Sequence, residues 1–370
     1  MRFRSAIFLL GLFVLVFPSC GDDEIGEMMM EESPFDRRAM LTFWADQVII
    51  PAFENYLGEL NELILAKDRF LSEPGLETLD GLRETWLSSY LAWQEVSIFD
   101  IGKAEEVGLR NFTNIYPSDI EDIEKSIIEG NHNLELPSNF DIQGFPALDY
   151  ILFGLESDEA QLVERLSTEN HASFLSDLVE RLHGLASEVS NDWNNGYRDL
   201  FIANDGASAT ASVDKITNDF IFYYERFLRA GKIGIPAGVF SGNPISSAVE
   251  APHSEVYSKE LFLRGFGAAI EFFNGVDFNN STTGPSLSSY LNHVANQRQT
   301  SNIADEIREQ WRLADLKAQD LSPSFKSQIL TDNTKMLETY DELQKAVVLL
   351  KVEMMQALNI QVDFVDADGD

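Results

Sequence analysis

The feature that most restricts this chain is the spacing of its large apolar side chains, which recur every three or four residues over most of its length. Ile49, Phe53, Tyr56, Leu60 and Ile64 mark one stripe, and Leu79, Leu82, Trp86, Tyr90 and Trp93 a second. Leu178, Leu182, Leu185 and Val189 form a third, Ile216, Phe220, Tyr223 and Phe227 a fourth, and Phe262, Phe266, Ile270 and Phe273 a fifth. The longest runs from Met336 through Tyr340, Leu343, Val347, Leu350 and Met354 to Leu358. A 3.6-residue repeat puts each set on one face of an α-helix. Alternating strand patterns and two-residue hairpin signals are nearly absent. Long helices joined by short connections pack as antiparallel bundles. The expectation is an all-α protein of two antiparallel bundles with about four helices each. Residues 35–205 would make the first and 206–362 the second, divided near Asn204-Asp205-Gly206.

Local signals refine that reading. Pro51 falls inside the first stripe and predicts a kink, because it removes one backbone donor. Ser118-Asp119-Ile120-Glu121 has capping-box form, and Ser322-Pro323 places proline where a first helical residue tolerates it. The aromatic rows read as bundle core and not as a cofactor box, since the 26 phenylalanines fill volume and carry no polar handle.

Composition excludes several classes of function. Lys and Arg number 27 against 61 Asp and Glu, a net charge of −34, so the surface repels a polyanion and no nucleic-acid partner is expected. Aromatic residues at 11% rule out disorder for most of the chain. One cysteine leaves no intrachain disulfide and no multi-cysteine metal site, and five histidines leave little for a multi-histidine centre.

The ends point to an anchor. Arg2 and Arg4 precede an apolar run from Ala6 to Phe17, too short to stay in a membrane as a spanning helix. Phe17-Pro18-Ser19-Cys20 then has lipobox form, so residues 1–19 read as a lipoprotein signal peptide and Cys20 as the lipidated residue. Residues 20–34, opening Cys20-Gly21-Asp22-Asp23-Glu24, read as an acidic tether that resembles the surface-export signal of Bacteroidetes-type lipoproteins. A membrane contacted through lipidated Cys20 is the expected partner, at the outer membrane or cell surface. Residues 363–370 read as an acidic tail. Asp366-Ala367-Asp368-Gly369-Asp370 begins like a calcium loop but stops before a twelfth-position ligand.

No HExxH, P-loop or Gly-x-Ser-x-Gly pattern is present. In Gly144-Phe145-Pro146-Ala147-Leu148-Asp149-Tyr150-Ile151-Leu152-Phe153-Gly154, Pro146 predicts a helix start and Gly154 a stop. Asp149 would lie in the first turn, ionised by the helix dipole and able to bind a cation or amine. Lys232-Ile233-Gly234-Ile235-Pro236-Ala237-Gly238 predicts a tight loop after clustered Arg226, Arg229 and Lys232, which suit an anion or a helix C-terminus. Glu250-Ala251-Pro252-His253 carries a Glu-x-x-His pair whose helical register Pro252 breaks, without a second copy, so a di-iron bundle centre is not expected.

These segments together resemble the imelysin family. The likeness rests on Gly144 to Gly154, Trp93-Gln94-Glu95-Val96, Tyr116-Pro117-Ser118-Asp119, Ile233-Gly234-Ile235-Pro236-Ala237-Gly238 and Val249-Glu250-Ala251, in one order across residues 36–370. The resemblance implies two related helical bundles with a functional site between them, in a family classed with metallopeptidases (peptidase M75 type) and linked to iron or haem uptake. Its metallopeptidase motif, Gly-x-His-x-x-Glu, falls on Gly144, Pro146 and Asp149, so the histidine position holds proline. Proline cannot ligate a metal, which leaves Asp149 as the one metal ligand that the motif offers, for a divalent cation or iron. The expectation is a lipoprotein that binds a ligand or cation between its bundles. Asp149 and Lys232 would supply charge, Trp93 and Tyr257 walls, and Glu250 and His253 the opposite side. An iron or haem uptake receptor is the implied partner. A metallopeptidase, and a structural or adhesive surface protein, are the alternatives.

Overall fold

Pro51 shows how a local rule becomes a tertiary contact. In the computed structural model, which describes residues 34–130 and 132–364, the chain is helical from Arg37 to Ser72. The turn Trp44–Ile49 is wound as a π-helix, and α1, Ile50–Ser72, carries Pro51 in its first turn. Proline has no N–H, so the Gln47 carbonyl four residues earlier loses the donor that an α-helix would supply. That carbonyl accepts from the backbone N–H of Phe278 at 2.8 Å. The expected irregularity is therefore a widened turn whose freed acceptor ties down a distant loop.

The main helices follow the stripes. In the first group, α1 packs against α2, Leu76–Val96. The short helix α3, Gly144–Asp149, runs on as a π-wound turn over Tyr150–Gly154. It lies against α4, Glu169–Asp192, which also packs on α1. In the second group, α5, Ser212–Phe222, continues as a π-wound stretch over Tyr223–Gly234. The group is completed by α6, Ser258–Asn274, α7, Ile303–Gln319, and α8, Thr334–Val348. α8 packs on both α7 and the Tyr223–Gly234 stretch, while α6 lies across α2 and joins the groups. No strand occurs among the described residues, which hold one isolated bridge between Val276 and Thr283. No described helix is long and apolar enough to cross a membrane. The signal peptide, Cys20 and the tether up to residue 33 lie outside the described residues, as do Asp366 to Asp370.

Apolar side chains from Met40 to Ile360 form a single connected core. Phe272 is its knot between the groups, with ring centroids 4.9 Å from Trp44, 5.3 Å from Phe99 and 5.4 Å from Phe220. Within the second group Trp311 meets Phe273 at 5.0 Å and Tyr224 at 5.8 Å.

Three local expectations are corrected. The helix Ile120–Glu129 is capped by Asp119, whose side chain accepts from Asp122 N–H, and not by Ser118. Both residue types can cap, and a carboxylate is additionally favoured at the positive helix end. Pro323 lies before its helix, and Ser324 caps Phe325–Asp332 through Ser327 N–H. The stretch Lys232 to Ala237 is helical, not a loop: Pro236 sits in the first turn of Ile235–Ala237, and Gly238 ends the helix at φ 83°. Proline is tolerated there because a first turn has no need of its N–H.

Candidate functional site

Asp149 is the last residue of α3, not part of a first turn, and its side chain is fully buried. Its carboxylate accepts the backbone N–H of His253 at 2.8 Å and of Ser254 at 3.0 Å. The segment after Glu250 can present both N–H groups because it is not helical: Ala251 and Glu255 hold left-handed φ values of 53° and 64°. Burial raises the Asp149 pKa to about 6, against the lowering effect of these donors. The helix dipole expected to keep Asp149 ionised does not act at this position, since Asp149 closes α3, and loss of solvent dominates instead.

Glu250 is equally enclosed, at 1% exposure. It pairs with Lys232, itself 3% exposed, and also accepts Gln94 Nε2 at 3.1 Å and Asn114 Nδ2 at 2.8 Å. Asn114 Oδ1 in turn accepts the Tyr90 hydroxyl at 2.6 Å. Tyr90 stacks on Phe145 of α3 at 4.4 Å, which fixes the phenol. Burial, then the charges of Glu250 and Asp149 among others, holds the Tyr90 hydroxyl well above the ordinary phenol range, so it stays protonated and donates. Burial lowers the Lys232 pKa, and the Glu250 charge opposes that shift. Lys232 and Glu250 belong to the second helix group, whereas Gln94, Asn114 and Tyr90 belong to the first. Asp149 of the first group is held by backbone of the second. The two carboxylates therefore sit at one junction, each bound by donors from across it.

The remaining expected residues fall into place around this seam. Trp93 is buried against Tyr56 at 5.8 Å and lines a small cavity that Lys232 shares. The half-buried His253 ring lies on Gly154 and meets Tyr150 at 5.2 Å. A side chain at 154 would overlap that imidazole, so glycine is required there. Burial lowers the His253 pKa, which leaves the ring neutral at pH 7. Its backbone, not its imidazole, reaches Asp149. Tyr257 packs against Trp86 at 6.0 Å, and Trp86 in turn meets Tyr90 at 5.5 Å.

The clustered cations separate. Arg229 pairs with Glu225 and Tyr340, Lys232 pairs with Glu250, and Arg226 is exposed. A shared anion site is not formed, because Arg229 and Lys232 are each held by a carboxylate while Arg226 faces solvent. Gln94, Asn114, Tyr90 and Ser254 were not singled out as site residues by sequence reasoning. Gln94 adjoined a marked tryptophan, whereas Asn114 carried no signal at all.

The donor set bears on metals. Among the described residues no group of three or more His, Cys, Asp and Glu side chains gathers to hold an ion. Both Asp149 oxygens already accept N–H groups, and both Glu250 oxygens face Lys232, Gln94 or Asn114. A three-ligand zinc site does not fit this arrangement.

The family profile for imelysin (peptidase M75) matches residues 49–354. No curated protein sequence matches significantly. Among solved structures, an imelysin-like protein from Psychrobacter arcticum 273-4 superposes with a TM-score of 0.70 at 16% identity, over 90% of this chain and all of that one. A protein of Parabacteroides distasonis ATCC 8503, provisionally named an iron-regulated protein A precursor, superposes with a TM-score of 0.69 at 16% identity, over 88% of this chain and 97% of that one. At such identity the structural likeness speaks for the fold. With the profile spanning most of its length, and with a two-group all-helical fold, the chain belongs to the imelysin family.

Proposed function

We propose that this chain is a lipid-anchored surface protein of iron or haem acquisition, which binds a ligand, cation or iron-bearing partner at the junction of its helix groups. The observation that carries the reading is the pair of enclosed carboxylates, Asp149 and Glu250, each bound by donors from the opposite group. Buried charge is costly unless it serves a partner or a fixed geometry, and such groups cluster at functional sites. The name of the Parabacteroides relative supports the link to iron. Anchoring through Cys20, exposure at the outer membrane and a receptor partner belong to the same proposal. The peptidase alternative finds less support, because the junction presents no zinc-type ligand set.

Elemental analysis and calorimetry with iron, zinc and calcium on the purified protein test the site. Stoichiometric binding lost in Asp149→Asn or Glu250→Gln is the expected result. Affinities unchanged in both variants would remove the junction as the site. A deletion strain should grow poorly under iron limitation; a defect confined to surface attachment would move the protein to the adhesive reading.

A further inference from the structure

The Tyr223 hydroxyl is a buried polar group at the junction. Tyr223 is 2% exposed, and its Oη makes no hydrogen bond of good geometry within the protein, Ser97 being a side chain that comes near it. Burying a hydroxyl unpaired is unfavourable, and native interiors supply a partner, often ordered water. The chain leaves room for this hydroxyl: a Cβ at Gly265 would come 2.7 Å from it. Tyr223 lines a cavity of about 20 Å³, together with Ser97, Asn114, Tyr116 and Lys232 among others. One water needs roughly 10–15 Å³, so the space seats one and excludes any organic molecule of useful size.

Charge narrows the occupant further. Lys232 and Arg110 both reach the wall, and no carboxylate does. A cation finds no carboxylate ligand in that wall. An anion gains little, because Lys232 is matched by Glu250, and Arg110 by Asp219 at 3.1 Å. What remains is a neutral molecule able both to donate and to accept. We infer that the cavity holds a single ordered water joining Tyr223 Oη, in the second helix group, to a polar group lining the first. The inference rests on the packing of the junction and not on the ligand proposed above, so either can fail alone.

A crystal structure of the full chain, fine enough to show solvent, tests it, with a second crystal soaked in bromide. The expected result is one solvent peak within about 3.2 Å of Tyr223 Oη and of a second lining group, with no anomalous bromide signal. An empty cavity, a bromide peak, or a direct Tyr223–Ser97 bond closing the space would overturn it. In Tyr223→Phe the peak should vanish or move toward the first group. A peak unchanged in that variant would show that Tyr223 does not hold the water.

Discussion

The two sides of the junction are built by opposite means. Around Phe272, the rings of Trp44, Phe99 and Phe220 meet through their apolar surfaces, and the contact draws its strength from area removed from water. Around Glu250, almost nothing is gained from area. Lys232, Gln94 and Asn114 must each arrive in place to offset the desolvation of one carboxylate. Apolar contact is nearly indifferent to register, while hydrogen bonds are not. The comparison teaches that the aromatic knot makes the helix groups associate and the polar seam decides how they are aligned.

The largest effect should come from the knot. Phe272→Ala removes the ring shared by three neighbours and should cost about 3–5 kcal/mol in urea unfolding. A loss below about 1 kcal/mol would mean that the junction does not depend on this contact.

The seam should respond almost as strongly but with a different signature. Glu250→Gln strands Lys232 as a buried cation, at a cost of roughly 3 kcal/mol, while Lys232→Met with Glu250→Gln should recover much of it. A double variant as unstable as the single one would show that charge pairing is not what the seam contributes.

Acid separates the two sides again. The Asp149 carboxyl titrates at about 6 in the fold against an ordinary value of 3.8, so the folded state binds the extra proton between those limits. This group's stabilising contribution is full below pH 3.8 and is lost as pH rises through 6, a change on the order of 2–3 kcal/mol. Unfolding free energies measured across that window should lose this component in Asp149→Asn and keep it in Phe272→Ala. An unaltered pH profile in Asp149→Asn would assign the slope to other carboxylates.

The smallest contrast concerns two glycines. Gly154→Ala should destabilise by about 1–2 kcal/mol because the His253 ring occupies the space of its Cβ. Gly184→Ala, inside α4 with nothing within 4 Å, should instead stabilise by roughly 0.5–1 kcal/mol. Equal losses at both positions would deny that His253 is seated by Gly154.

Much of the fold was legible because helical periodicity is local. The stripe Leu79, Leu82, Trp86, Tyr90 and Trp93 is buried along α2 as its spacing requires. Boundaries read less well where two neighbours compete for one role, as Ser118 and Asp119 do. The site was partly legible. Asp149, Glu250, Lys232 and Trp93 do come to one junction, while His253 reaches Asp149 through its backbone and Tyr257 packs on Trp86. Asn114 could not have been chosen, since its partner Glu250 lies 136 residues away and nothing nearby marks either as the other's complement.

The sequence alone determined the helical class, the acidic surface and the segments that carry chemistry, because propensity, charge and capping act over a few residues. Only the tertiary structure decided the state of those residues. Asp149 became a raised-pKa acceptor instead of a dipole-stabilised anion, and the Lys232 stretch became helix instead of loop. Burial and long-range donors set these outcomes, and neither exists until distant helices have packed.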